Sequence, residues 1–409
     1  MPKPHLLPFA EPTTIRGRRR FLTGAAALPA LWVAGVAATS GAGVFTPDLI
    51  AAFRVAGRID DAGSVSGSGP AADYVGVLRQ DWQAGLIRIV HAIPVESRVH
   101  GLVAHTSGGY YAVACRPGKW LLRVDASGRI AQRRELNDEP GGRTLDGHAV
   151  LSPDRRWLLT TETAPASGEG WISVRDALTL ARVAQWRTHG IEPHDARFDS
   201  QGRLFVANGG ILRGAGDRKR DLDRMESSLV CLDGERGELL RQWRLPDRRL
   251  SLRHLAIVGS GQQVRVGVGI QAEHDDAGQR SEAPILATLE GNADQLQLPT
   301  RATLGKGYCG DIVAGPAAGF YLSCERSNRV VRWDPRRPGD LQVVAEVERA
   351  GALAAWYPEN GEGEIANAAP GVLIGGVNGM ARWHWLRSPS MLRWPSTLVP
   401  DNHWVAVSS

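Results

Sequence analysis

One phrase recurs along this chain of 409 residues: a histidine or small residue opens a short apolar strand, a Gly/Pro/Asp-rich turn follows, and a second apolar strand answers it. The openings are His100, His148, His194 and His254, with weaker copies at Gly310 and Ala352. The answering strands include Trp157–Thr161, Leu204–Asn208, Val264–Val268, Phe320–Cys324 and Val372–Gly375. The fullest unit reads Gly101–His105, Tyr110–Cys115, Trp120–Asp125 and Ile130–Glu135, four β-rich runs parted by turns, which is the grammar of an antiparallel meander. A period of roughly 40 to 50 residues with four strands per unit predicts a β-propeller. Tyr74–Leu78 and Leu86–Ile93 look like part of a further unit, and the tail His403–Val407 offers its missing strand. The expectation is an all-β, seven-bladed β-propeller with four-stranded antiparallel blades, the ring closed by N- and C-terminal strands and the count good to one blade. A lone four-stranded sheet cannot bury both faces, whereas blades around an axis cover one another. Tryptophans such as Trp120, Trp157, Trp171, Trp186, Trp243 and Trp333 fall on strands, where they fill the wedges between blades.

The first forty residues obey a different logic. Arg18-Arg19-Arg20-Phe21-Leu22 precedes a weakly apolar stretch, Gly24–Ala38, the pattern of a twin-arginine export signal. As a membrane anchor that stretch is interrupted by Pro29 and Gly35 and falls short of the ~20 residues a span needs. Cleavage fits after Val36-Ala37-Ala38 or Ser40-Gly41-Ala42. The expected organisation is a signal peptide over 1–42, a flexible Gly/Ser/Ala-rich arm over 43–71 and the propeller over 72–409. The expected product is a periplasmic monomer, exported folded, with no membrane span after cleavage. Lys and Arg exceed Asp and Glu, 48 to 43, but the signal alone carries Lys3, Arg16, Arg18, Arg19 and Arg20 against Glu11. The remainder is close to neutral, which argues against a nucleic-acid partner.

First strands of successive blades line a propeller's channel, so His100, His148, His194 and His254 are expected to converge near the axis. Neutral imidazoles there suit Fe, Cu or Zn. Glu162 and Asn208, at the exits of second strands, and His189 and Glu192, on the loop before His194, are candidates for the same mouth. Arg253 is placed to hold an anion. The competing reading is that the histidines are inherited packing residues that tie neighbouring strands. Cys115, Cys231, Cys309 and Cys324 lack CxxC or CxxCH spacing, which excludes c-type haem; a Cys309–Cys324 disulfide and buried free thiols both stay open. Walker, Rossmann, Gly-x-Ser-x-Gly and HExxH motifs are missing, so no nucleotide cofactor is expected. The insertion Gly209–Ser227 breaks the rhythm and reads as a functional loop. An enzyme of lactonase type would draw calcium ligands from Glu162, Asp195, Asn208 and Asp311; a quinoprotein would need a tryptophan floor that the sequence does not assemble. A pure protein-interaction scaffold is the third possibility.

Thr188-His189-Gly190-Ile191-Glu192-Pro193-His194, Ala207-Asn208-Gly209-Gly210-Ile211, Ser251-Leu252-Arg253-His254 and Gly147-His148-Ala149, in this order-specific set, resemble a bacterial family of twin-arginine-exported proteins classed as a domain of unknown function. The resemblance runs from about Tyr74 onward and implies a seven-bladed propeller of quinoprotein-like or YVTN-like type. It further implies partnership with periplasmic iron-uptake proteins of imelysin-type loci. The chain departs from the family pattern after Glu162, where it has Thr163-Ala164, and after Ile211.

Overall fold

Short apolar runs separated by Gly, Pro and Asp turns fold as seven antiparallel blades around one axis, with only a single six-residue α-helix, Ala277–Glu282, among the described residues. The computed structural model describes residues 47–60, 63–105, 107–299, 303–356, 370–384, 387–395 and 398–407, so the expected export segment lies outside it. In chain order, the blades after the first span Val99–Glu135 (blade 2), Thr144–Ile191 (blade 3), Pro193–Trp243 (blade 4), Leu250–Glu290 (blade 5), Asp311–Glu346 (blade 6) and Leu353–Arg393 (blade 7). Each has four strands except blade 5, whose three-stranded sheet is extended by one bridge between Thr288 and Gln297.

Blade 1 joins the two ends of the chain. Asp48–Ile59, Val65–Asp81 and Leu86–Val95 supply its outer strands, and Leu398–Val407 is the innermost, pairing Trp404 with Ala51 and Val407 with Asp48. The closure expected from the tail is therefore present. The arm expected over 43–71 is corrected: Asp48–Ile59 and the start of Val65–Asp81 are strands of this blade. Trp404 packs edge-on against Trp394, within an apolar cluster that includes Leu49, Phe53, Leu78, Leu373 and Leu398. Seven such clusters, one per wedge, make the core continuous around the ring. Tryptophans fill wedges as expected where they are buried: Trp333 stacks on Phe320 and Trp243 on Phe205. Trp171 instead lies half-buried with the Arg143 and Arg187 guanidinium groups over its ring.

One irregularity repeats and positions the site. On the innermost strands of blades 2 to 5, the pairing slips between Val99 and Gly101, Leu145 and Ala149, Pro193 and Asp195, and Leu252 and Leu255. In blade 1 it slips between Pro400 and Trp404. Each slip is a bulge, which re-aims a side chain out of the ladder, and each contains one histidine. The crowding there is tight enough to demand glycine at 147, where φ is +107° and a Cβ would sit 2.6 Å from the His100 ring.

Candidate functional site

The residues just before Gly101, Ala149, Asp195, Leu255, Asp311, Leu353 and Trp404 hold equivalent places on the seven inner strands. Five are histidines: His403 of blade 1, then His100, His148, His194 and His254 of blades 2 to 5. The other two are Gly310 and Ala352, so blades 6 and 7 contribute no imidazole. The four histidines expected to converge do so, and His403 joins them. Ring centroids are 4.6 Å apart for His100 and His148, 4.9 Å for His148 and His194, 4.5 Å for His194 and His254, and 4.6 Å for His254 and His403. His403 also lies 4.6 Å from His100, which closes the circle.

These rings are 2 to 9% exposed. Burial, reinforced by neighbouring imidazoles and arginines, pushes His100, His148, His194 and His254 well below the usual histidine pKa, so all four are neutral near pH 7. Neutral imidazole is the form that ligates metal. Each of the five rings keeps one buried nitrogen without a hydrogen-bond partner: Nδ1 of His100, His194 and His254, and Nε2 of His148 and His403. Such orphaned groups are costly and call for an explanation. They also count against the histidines as ties between strands, since the rings meet one another instead.

Two subsets bring one ligand atom per residue within 4.8 Å of each other: His100 with His148 and His194, and His148 with His254 and His403. The Nε2 atoms of His194 and His254 are 3.4 Å apart. That is close to the edge of a tetrahedron built on metal–nitrogen bonds of ~2.0 to 2.1 Å. The surrounding carboxylates fit the same use. Asp195 Oδ1 lies 3.6 Å from His148 Nδ1, and Asp311 Oδ1 lies 3.2 Å from His403 Nδ1. A carboxylate beside Nδ1 draws the proton there and leaves Nε2 as a lone-pair donor. Both aspartates are fixed by backbone N–H groups of the next blade, Leu255 to Asp195 and Leu353 to Asp311, each at 2.9 Å.

The expected ligand-binding set divides. Arg253 and Glu192 stand at the mouth: Glu192 accepts from Arg213 at 2.7 Å and Arg253 at 3.2 Å, with Arg116 at 2.9 Å. Burial raises the Glu192 carboxyl, but Arg253, Arg116 and Arg213 outweigh it and bring it down to about 2. Glu192 holds a left-handed φ of 55°, a conformation that non-glycine residues adopt at a cost. Glu162 lies away from Arg253 and Glu192: one carboxylate oxygen accepts from the fully buried Arg175 at 2.8 Å and from Thr160 at 2.9 Å, and the other has no hydrogen-bond partner. Asn208 donates to the Thr188 carbonyl and to Ser228 and keeps Oδ1 without a partner. His189 is exposed, and its described contact is the carbonyl accepting from Gln242. None of the three lines the chamber over the imidazoles. The insertion expected to be functional forms a hairpin, Leu212–Arg213 with Lys219–Arg220, that walls the mouth. All four cysteines are free thiols.

Fold and site together define a seven-bladed β-propeller with a histidine-lined channel. The chain belongs to the DUF1513 family of proteins of unknown function, matching it over residues 93–407. No curated protein matches significantly. Among solved structures, virginiamycin B lyase from Staphylococcus aureus is similar at 11% identity and TM-score 0.50, covering 72% of this chain and 84% of the lyase. Kuenenia stuttgartiensis hydrazine synthase is similar at 12% and 0.51, covering 79% and 92%, and a chain of the mitotic checkpoint complex at 11% and 0.52, covering 75% and 80%. At such identities the likeness is one of fold alone.

Proposed function

We propose that this protein is a transition-metal-binding propeller of the periplasm that serves iron acquisition, with iron, copper or zinc held by the channel histidines. The observation that carries the metal is the ring of five buried imidazoles, each with an unpartnered nitrogen, two of them backed by carboxylates. The donor set is nitrogen-only, which suits borderline ions rather than calcium or magnesium. Export rests on the twin-arginine pattern and the iron connection on the family resemblance. The lactonase alternative loses ground because Glu162 and Asn208 do not line the chamber over the imidazoles, and Asp195 and Asp311 accept from backbone amides.

Metal analysis of untagged protein tests the reading. The expected result is about one Fe, Cu or Zn per chain after desalting. Protein that retains no ion after exposure to each of the three metals, or that turns over a lactone panel only with calcium, contradicts it.

A further inference from the structure

Over the histidine ring the channel widens into a chamber of about 150 Å³, whose wall includes Arg98, Arg116, Arg253 and Tyr308. A second cavity of about 500 Å³, walled in part by the Leu212–Arg220 hairpin, shares Arg116 and Asp146 with it. The two are adjacent rooms of one entrance.

Cations are in excess where the rooms meet. Arg116, Arg213 and Arg253 all contact the single Glu192 carboxylate, and Arg116 and Arg213 share Asp217. Three guanidinium groups thus contact two carboxylates. Arg98 and Lys219 are matched separately by Asp401 and Glu273, and Asp146 hydrogen-bonds Thr163 without an ion pair to any of the three. Donors are in excess as well. Arg213 spends Nε, Nη1 and Nη2 on Glu192 and Asp217. Arg253 spends only Nη1 on protein among the described residues, and Arg116 directs Nη1 at Glu192 and Nε at Asp217 while its Nη2 has no described protein contact. A buried guanidinium with spare donors beside a void is a site for an anion.

We infer that this entrance binds a small organic monocarboxylate, its head group between Arg116 and Arg253 and its body in the larger cavity. Planar guanidinium forks match the two oxygens of a carboxylate. Because burial raises the Asp146 carboxyl beside the arginines to about 7, a single added negative charge comes close to balancing the cluster, whereas a phosphate dianion would overshoot it. Pro117, Pro165 and Ile211 give the larger cavity an apolar wall suited to a hydrocarbon body. The head group lies beside His100, His194 and His254, which line the same chamber. Recognition by the arginines does not require an ion there, so the inference stands apart from the metal reading.

Hexanoate, titrated by calorimetry into the full chain after metal removal, is the test. The expected result is one saturable site, weakened about tenfold or more by Arg116→Gln. Ala215→Glu is expected to weaken it similarly, because it places a like charge on an exposed stretch of the cavity wall where folding is not at stake. Absence of saturable binding, binding that Ala215→Glu leaves unchanged, or equal binding of inorganic phosphate or hexylamine would overturn the inference.

Discussion

Replacing His148 with alanine is expected to empty the channel of its ion, lowering metal affinity by about 100-fold or more. His148 is the one histidine common to both candidate triads, so its loss leaves neither intact. Asp195→Asn, which removes the charge facing His148 Nδ1, should cost about 10- to 100-fold by a separate route, through orientation and basicity of the ligand. Competition against a chromophoric chelator measures both. Near-ultraviolet circular dichroism of the variants distinguishes loss of a ligand from loss of the fold. Affinity within twofold of the unaltered chain in His148→Ala would mean that the imidazoles do not share an ion.

The second large effect concerns the seam of the ring. Ending the chain before Leu398 is expected to abolish cooperative unfolding, although the deletion removes only one strand. Leu398–Val407 is the innermost strand of blade 1 and pairs along Asp48–Val55, and it carries His403 to the channel. Removing a buried tryptophan such as Trp404 alone costs about 3 to 5 kcal/mol. Whole-domain stability is only about 5 to 15 kcal/mol. Loss of the strand also exposes the inner edge of Asp48–Ile59 to self-association. Urea titration followed by tryptophan fluorescence should show a broad, low-denaturant transition in the shortened chain; a sharp transition at the unaltered midpoint would show that the ring does not depend on its seam.

The histidine ring was legible because bulges recur at the same phase of each repeat, and a strand opening flanked by turns marks that phase locally. His403 escaped the repeat because no turn and answering strand follow it; its answering strand, Asp48–Ile59, lies at the other end of the chain. The same long separation hid that strand itself. It carries β-forming Leu49, Ile50, Phe53 and Val55, but it lacks the turn-bounded period of the repeats, and it pairs with both Val65–Asp81 and the distant tail. Glu162 and Asn208 show a different limit. Position along a strand was readable, but which face a side chain takes and what meets it there depended on partners across the sheet, Arg175 and Ser228. The arginine cluster at the mouth draws on blades 2, 4 and 5, with Arg116, Glu192, Arg213 and Arg253 brought together only by ring closure. Of these, Arg253 and Glu192 were marked by their nearness to His254 and His194; Arg116 and Arg213 had no such neighbour.

X-ray absorption at the edge of the bound metal tests the central claim most directly. The account predicts a first shell containing at least three imidazole nitrogens at ~2.0 to 2.1 Å, with the outer-shell scattering of histidine rings. A first shell of oxygen atoms alone would contradict it and place the ion elsewhere on the protein.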